Sequence, residues 1–315
     1  LLKENKKIKI LVSFRAIPQS PNWATGDFVC EGFRALGHEV FPYGNYYQTK
    51  NRLNEKLLDE IGPVDLLLFM ECNDADPIYW ELSNIKTRKK AVWLFDIGMN
   101  PPFYRQLMEH FKFDHCFSAN KNYLNVLSGC TSFLSYAADQ RYFRSLDFPK
   151  KRDVVIVGSD RPGRRKLIDQ LKKIGLRAEF ISGVFREQYI DELAASYITI
   201  IDVAGGGQGM LPIRWAEAPA AGSYPIFCDQ DAIYHVFQEQ IYMENPIYMF
   251  SNETCSYLLS DKNILNKKRQ WFQKYIAKKH MYKNRCIQIL DTLFPNETYM
   301  DCPLPPETEW ESYYE

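Results

Sequence analysis

The stretch Ala204–Phe227, AGGGQGMLPIRWAEAPAAGSYPIF, brings together residue types that bind a diphosphate and a sugar. Gly206, Gly207, Gln208, Gly209 and Met210 lead into a short helix expected over Pro212–Ala221, with proline suited to its first turn and Gly222 to its stop. Backbone N–H groups at a glycine-rich helix start are aimed at anions and cradle a diphosphate. Arg214 and Glu217 lie three residues apart and share a helix face. A carboxylate at Glu217 can accept hydrogen bonds from ribose hydroxyls, while Arg214 supports the diphosphate or orients Glu217. The competing readings are a loop whose glycines serve turn geometry alone and a surface ion pair. Taken together, the residues favour a nucleotide-sugar site.

A second group follows a predicted strand in DVVIVGSDRPGRRK, where Gly158, Ser159, Arg161 and Arg164 can neutralise a leaving diphosphate through charge-assisted hydrogen bonds. The alternative is a solvated basic turn, because Arg165 and Lys166 crowd the same place. Gly183, in FISGVF, ends another strand and either lets a nucleotide base approach the backbone or forms a plain turn. Asp96 follows an apolar run and precedes Gly98 and Pro101–Pro102. There it acts as a base, stabilises oxocarbenium charge, or caps a loop. Asp27, at a helix start, competes for the catalytic role, with an N-cap as its alternative. Glu71 and Asp74 in MECNDADP are candidates for binding an acceptor, and without histidine or EF-hand spacing they are not assigned a metal. His280, Tyr282 and Arg285 are read as packing between domains. Lys267–Arg269, Lys278, Lys279 and Lys283 are read as a solvated helix face.

These residues need a scaffold of strands whose carboxyl ends converge. Strands are expected at Ile8–Phe14, Glu39–Tyr43, Asp65–Glu71, Lys90–Phe95, His115–Ser118 and Thr131–Leu134, with a helix over Phe28–Leu36. SLDFPKKR, Ser145–Arg152, reads as a linker. A second series places strands at Asp153–Gly158, Ala178–Ile181, Ile198–Asp202, Tyr224–Phe227 and Ile247–Phe250. Helices there are expected over Arg164–Ile174, Glu187–Ala195 and, beyond Asn252, chiefly Lys262–His280. Continuous apolar strands separated by helices imply parallel sheets covered on both faces. The fold class is therefore α/β, with two Rossmann-like doubly wound domains facing a cleft. Their expected bounds are 1–148 for acceptor binding and 149–292 for the nucleotide sugar, followed by a tail, 293–315, on the first domain.

With 315 residues, 39 basic and 39 acidic, the formal net charge is zero, which gives no general attraction to nucleic acid or anionic membrane. None of the eight cysteines forms a C-x-x-C pair, so reduced, mostly buried thiols are expected. Apolar runs are strand-length, too short to span a bilayer, and LLKENKK lacks the apolar core of a signal peptide. A cytoplasmic location is the expectation.

Three passages carry a family resemblance: DVVIVGSDRPGRRKLIDQL, GMLPIRWAEAPAAGSYPIF and KKHMYKNRCIQIL. In order and spacing they resemble the GT-B glycosyltransferases, and more narrowly the CgeB-like (spore maturation protein type) family. The resemblance covers 150–290 well and 1–150 diffusely. It implies a C-terminal helix returning to the N-terminal domain. It also implies metal-independent transfer of a sugar from a nucleotide-diphosphate sugar to an acceptor hydroxyl, with retention of configuration and no cofactor beyond that co-substrate. The acceptor implied is a glycan, lipid, protein, small molecule or modified DNA base. The retaining class carries a glutamate eight residues before the position of Glu217, where this chain has Gly209. Asp96 stands where that class has a histidine. The other functions weighed are a non-catalytic two-domain small-molecule binding protein and a sugar-nucleotide epimerase or hydrolase on the same fold.

Overall fold

The computed structural model describes residues 6–16, 23–46, 52–70, 81–127, 129–202, 209–237 and 247–295. Their contacts divide into two units. The first runs through Ser135 and regains the chain at Tyr282; the second takes the described residues from Tyr136 to Met281.

In the first unit, β1 (Lys9–Ser13), α1 (Thr25–Ala35), β2 (Glu39–Asn45), β3 (Arg52–Leu53), α2 (Leu57–Glu60), β4 (Val64–Met70), β5 (Thr87–Leu94), α3 (Pro101–Phe111), β6 (His115–Ser118) and β7 (Thr131–Phe133) succeed one another. The sheet order is β3-β2-β1-β4-β5-β6-β7, parallel except for the β2–β3 pair. Ile10, Leu11 and Val12 are wholly buried, as are Leu66–Leu68 and Ala91–Leu94. Both faces of these strands are covered, so the sequence alternates little and reads as continuous apolar runs. One face packs Leu11, Leu67, Phe69, Val92 and Leu94 against Tyr104, Leu107, Met108 and Phe111 of α3. Those four α3 residues recur at helical spacing after two prolines, a pattern absent from the expected elements.

The other face carries α1 and α10 (Tyr282–Leu293), which the chain reaches after leaving the second unit. Tyr282 packs on Phe28 at 5.3 Å and Trp93 at 6.4 Å. Arg285, buried, donates to the Ser135 carbonyl at 2.8 Å and its hydroxyl at 3.0 Å. The two helices approach closely at Gly32, where an added Cβ would lie 2.8 Å from Cys286 Sγ and 3.3 Å from the Lys283 backbone nitrogen.

The second unit holds β8 (Arg152–Val157), α4 (Pro162–Lys173), β9 (Ala178–Ile181), α5 (Arg186–Ala194), β10 (Ser196–Ile201), α6 (Arg214–Ala220), β11 (Tyr224–Phe227), α7 (Gln230–Val236), α8 (Asn252–Ser260) and α9 (Lys262–Lys279). Its parallel sheet has the order β11-β10-β8-β9, so the direction of winding reverses between β8 and β10. The strand expected at Ile247–Phe250 is instead an isolated bridge between Met249 and Phe227. Every α6 side chain from Trp215 to Ala220 is buried. This helix has no solvent face, and α9 covers the carbonyls at its end. Gln273 donates to Ala220 O at 2.7 Å and Arg269 to Gly222 O at 2.7 Å. Arg269, expected on a solvated face, is 2 % exposed, because the carbonyls that end a helix need donors. No helix among the described residues is long and apolar enough to cross a membrane.

The helix contact at Gly32 yields a test. Gly32→Ala is expected to lower unfolding free energy by about 1–3 kcal/mol, although alanine is the better helix former. In a Cys286→Ala background the loss is expected to shrink, giving a non-additive pair in urea unfolding. Simple additivity of the two substitutions would refute the close-approach account.

Candidate functional site

The switch point between β8 and β10 is where an open α/β sheet offers a crevice at its strand ends. Gly158 and Ser159 follow β8, and Asp202 follows β10. Arg164, in the first turn of α4, reaches across: Nε donates to Asp202 Oδ2 at 2.6 Å and Nη2 to Oδ1 at 3.0 Å. Its Nη1 donates to the Ser159 carbonyl at 2.6 Å. Arg214, opening α6, donates through Nη2 to the same Asp202 Oδ1 at 3.2 Å. One carboxylate thus serves two guanidinium groups, leaving the trio with one excess positive charge. Gly158 lies beneath them at φ +146°. A Cβ there would meet Arg164 Nη1 at 2.7 Å and Arg214 Nη1 at 3.1 Å. Glycine is required on both counts, backbone angle and space.

Glu217 follows Arg214 by one turn and is 2 % exposed. Its carboxylate accepts from the Tyr189 hydroxyl at 2.5 Å and from Tyr142. Burial pushes its pKa up from 4.5 to about 6, against the opposing pull of both phenols and the positive charge of Arg214. The tyrosines belong to α5 and to the 3₁₀ turn Gln140–Tyr142, so this carboxyl ties three segments together. The competing reading, a surface ion pair between Arg214 and Glu217, does not hold: Glu217 is buried and Arg214 turns to Asp202.

Of the glycine-rich segment, Gly206, Gly207 and Gln208 lie outside the described residues. Gly209 is held on both sides of the chain: its N–H donates to Asp229 Oδ2 at 2.9 Å, and its carbonyl pairs with His235 Nδ1 at 3.1 Å. Asp229 uses its other oxygen to cap α7 through Ala232 N at 3.1 Å. Met210 is buried. Cys228, between these carboxylates, has its thiol pushed up to about 12 by burial, then by Asp202 and Asp229, so it stays protonated. Arg161 is exposed at the head of α4 and makes no side-chain cap there. Arg165 is on the surface, paired with Asp160 at 2.5 Å. Gly183 is exposed at φ +73°, with open space where a Cβ would stand.

The remaining candidates lie in the first unit. Asp96 is half-buried past the end of β5, and its side chain does not cap the turn Ile97–Met99 that it precedes. Asp27 sits at the third position of α1, and its Oδ2 accepts the Ala24 N–H at 3.0 Å, closing the first turn. Glu71 and Asp74 lie outside the described residues. Asp202, Asp229, Tyr142, Tyr189 and His235 were not among the expected site residues. Asp202 directly follows an apolar strand and Asp229 follows one a residue later, the signal already used for Asp96. The two tyrosines and His235 carry no such signal.

No family model and no curated protein matches this chain. Solved structures do. The avilamycin A biosynthesis glycosyltransferase AviGT4 aligns at a TM-score of 0.56 and 11% identity, covering 90% of this chain and 96% of that one. A DNA-modifying β-glucosyltransferase, solved with and without uridine diphosphoglucose, aligns at 0.59 and 12%, covering 90% and 99%. The T4 phage enzyme with its UDP-glucose substrate aligns at 0.57 and 12%, covering 90% and 98%. The chain has the GT-B fold: mixed α/β, with two Rossmann-like domains built on parallel sheets.

The environment of Glu217 sets a pH dependence. Its affinity for a proton is higher in the folded chain, so its stabilising contribution is complete below pH 4.5 and fades as pH rises through about 6. Glu217→Gln lacks that loss. Its unfolding free energy, relative to the parent, is expected to improve by up to about 2 kcal/mol between pH 4.5 and 7. A pH-independent difference in urea melts would contradict the buried-carboxyl assignment.

Proposed function

We propose that this protein is a glycosyltransferase that moves a sugar from a nucleotide-diphosphate sugar to an acceptor hydroxyl. The observation that carries the reading is the pair of guanidiniums held over Gly158 by Asp202, at the carboxyl ends of β8 and β10. A diphosphate seated there meets fixed positive charge where negative charge grows as the bond to the sugar breaks. The electron pair of that bond leaves with the diphosphate, and the acceptor oxygen forms the new bond at the anomeric carbon. The acceptor proton passes to a carboxylate, for which Asp96 and Asp27 are our candidates.

Positive charge from arginine supplies what a metal ion supplies elsewhere, which supports metal independence. The order of the three sequence passages supports a CgeB-like relationship and, with it, retention. Glu217 supports the donor site from behind Arg214 in this reading, the Gly209 N–H being taken by Asp229, and Glu71 and Asp74 belong to acceptor binding. A glycan, lipid, protein, small molecule or modified DNA base fits the acceptor role. One structural neighbour is described as DNA-modifying, which makes the base worth assaying.

Melting curves with uridine, guanosine and adenosine diphosphate sugars test the reading. A ligand at 100 times its dissociation constant adds about 2.7 kcal/mol. Gly158→Ala, whose methyl group displaces both guanidiniums, is expected to erase most of that gain while the free protein stays folded. Absence of any response in the parent chain would end the proposal. Product analysis with labelled donor and no acceptor separates transfer from epimerisation or hydrolysis.

A further inference from the structure

The two arginines over Gly158 are not equivalent. Arg164 is 3 % exposed and commits Nε and Nη2 to both oxygens of Asp202 and Nη1 to the Ser159 carbonyl. At least three of its five N–H groups are thus committed within the protein. Arg214 makes one hydrogen bond, from Nη2 to Asp202, and its Nε is buried with no hydrogen-bond partner among the described residues. A guanidinium carries five N–H donors, and a buried donor left unmet costs stability unless a ligand meets it.

Accepting the diphosphate reading of the seat, we propose that Asp202 is a positioning residue that makes Arg164 a strut and presents Arg214 as the guanidinium that contacts the diphosphate. The backbone explains why a carboxylate is needed. Gly158 leaves room for both guanidiniums above it, and two like charges converging on one point repel. Asp202 stands just past β10, the strand next to β8, and binds Arg164 side-on, through Nε and Nη2, in two parallel bonds that fix its plane. Arg214 then hangs from one of the same oxygens with its remaining donors uncommitted. A lysine at 164 keeps the charge but not the fork, so it does not replace the strut.

The proposal makes a prediction opposite in sign to simple electrostatics. Removing the negative charge of Asp202 raises the positive charge of the seat, which by itself tightens anion binding. Loss of positioning weakens it.

Calorimetric titration of the intact chain with uridine diphosphate, guanosine diphosphate, inorganic pyrophosphate and inorganic phosphate at fixed ionic strength decides between them. Asp202→Asn is expected to weaken binding of the diphosphates about tenfold or more and to erase the preference for pyrophosphate over phosphate. Arg214→Gln is expected to lose at least as much affinity while its ligand-free melting temperature stays at or above the parent value. Arg164→Gln is expected to lower that melting temperature. Equal or tighter diphosphate binding by Asp202→Asn, or parental affinity in Arg214→Gln, overturns the proposal and leaves the diphosphate seat standing. A folded parent chain that binds none of the four probes overturns the seat and the proposal together. If Asp202→Asn does not fold, the two arginine variants decide the matter: the proposal falls if Arg214→Gln binds as the parent does.

Discussion

One carboxylate holding two guanidiniums where the winding of the sheet reverses is the interaction that organises the strand ends of the second unit. Asp202 accepts three N–H groups from residues 38 and 12 positions away. That acceptor offsets the repulsion between two like charges at short range, and for Arg164 the Ser159 carbonyl adds a further bond. The arrangement costs desolvation of three charged groups, recovered by short, well-directed hydrogen bonds. The trio itself carries one positive charge in excess, with the Glu217 carboxyl one turn from Arg214 as a further acidic neighbour.

The seat is only as firm as α6, whose first residue is Arg214. That helix is buried all round, so burial and hydrogen bonds have to fix it in the absence of an amphipathic choice of face. α9 does so at one end through Arg269 and Gln273, which also bind the carbonyls of Leu146 and Arg144 at 2.8 Å. Trp215 packs edge-on against His280 at 4.8 Å and Phe237 at 5.4 Å. Just before α6, Gly209 is pinned by Asp229 and His235. The helix α9, read from sequence as a charged surface, is therefore a brace for the segment that carries the arginine.

The strands were legible because parallel, doubly covered strands leave unbroken apolar runs; His115–Ser118, Ala178–Ile181 and Tyr224–Phe227 fall where the pattern puts them. Elements that escaped did so for identifiable reasons. β3 is two residues long, and the helical spacing of Tyr104, Leu107, Met108 and Phe111 is masked by the prolines ahead of it. The residues around the seat were legible as types, arginines and glycines after strands, but their partners were not. Nothing local marks Tyr189 as the partner of Glu217, 28 residues on, or Arg269 as the donor to Gly222, 47 residues back. Pairing over such separations is decided by sheet order, which periodicity does not reveal. Asp202 was not among the expected site residues either, although an acid closing an apolar strand is a readable signal.

Glu217 shows how stability and chemistry compete in one place. A carboxyl group sunk among two phenols and near a guanidinium is held together by its hydrogen bonds, yet burial raises its proton affinity and makes its charged form expensive near neutral pH. A neutral side chain of the same shape relieves that expense, so stability alone does not favour a carboxylate. What the carboxylate adds is negative charge one turn from Arg214, restraining a guanidinium that has a single hydrogen bond of its own.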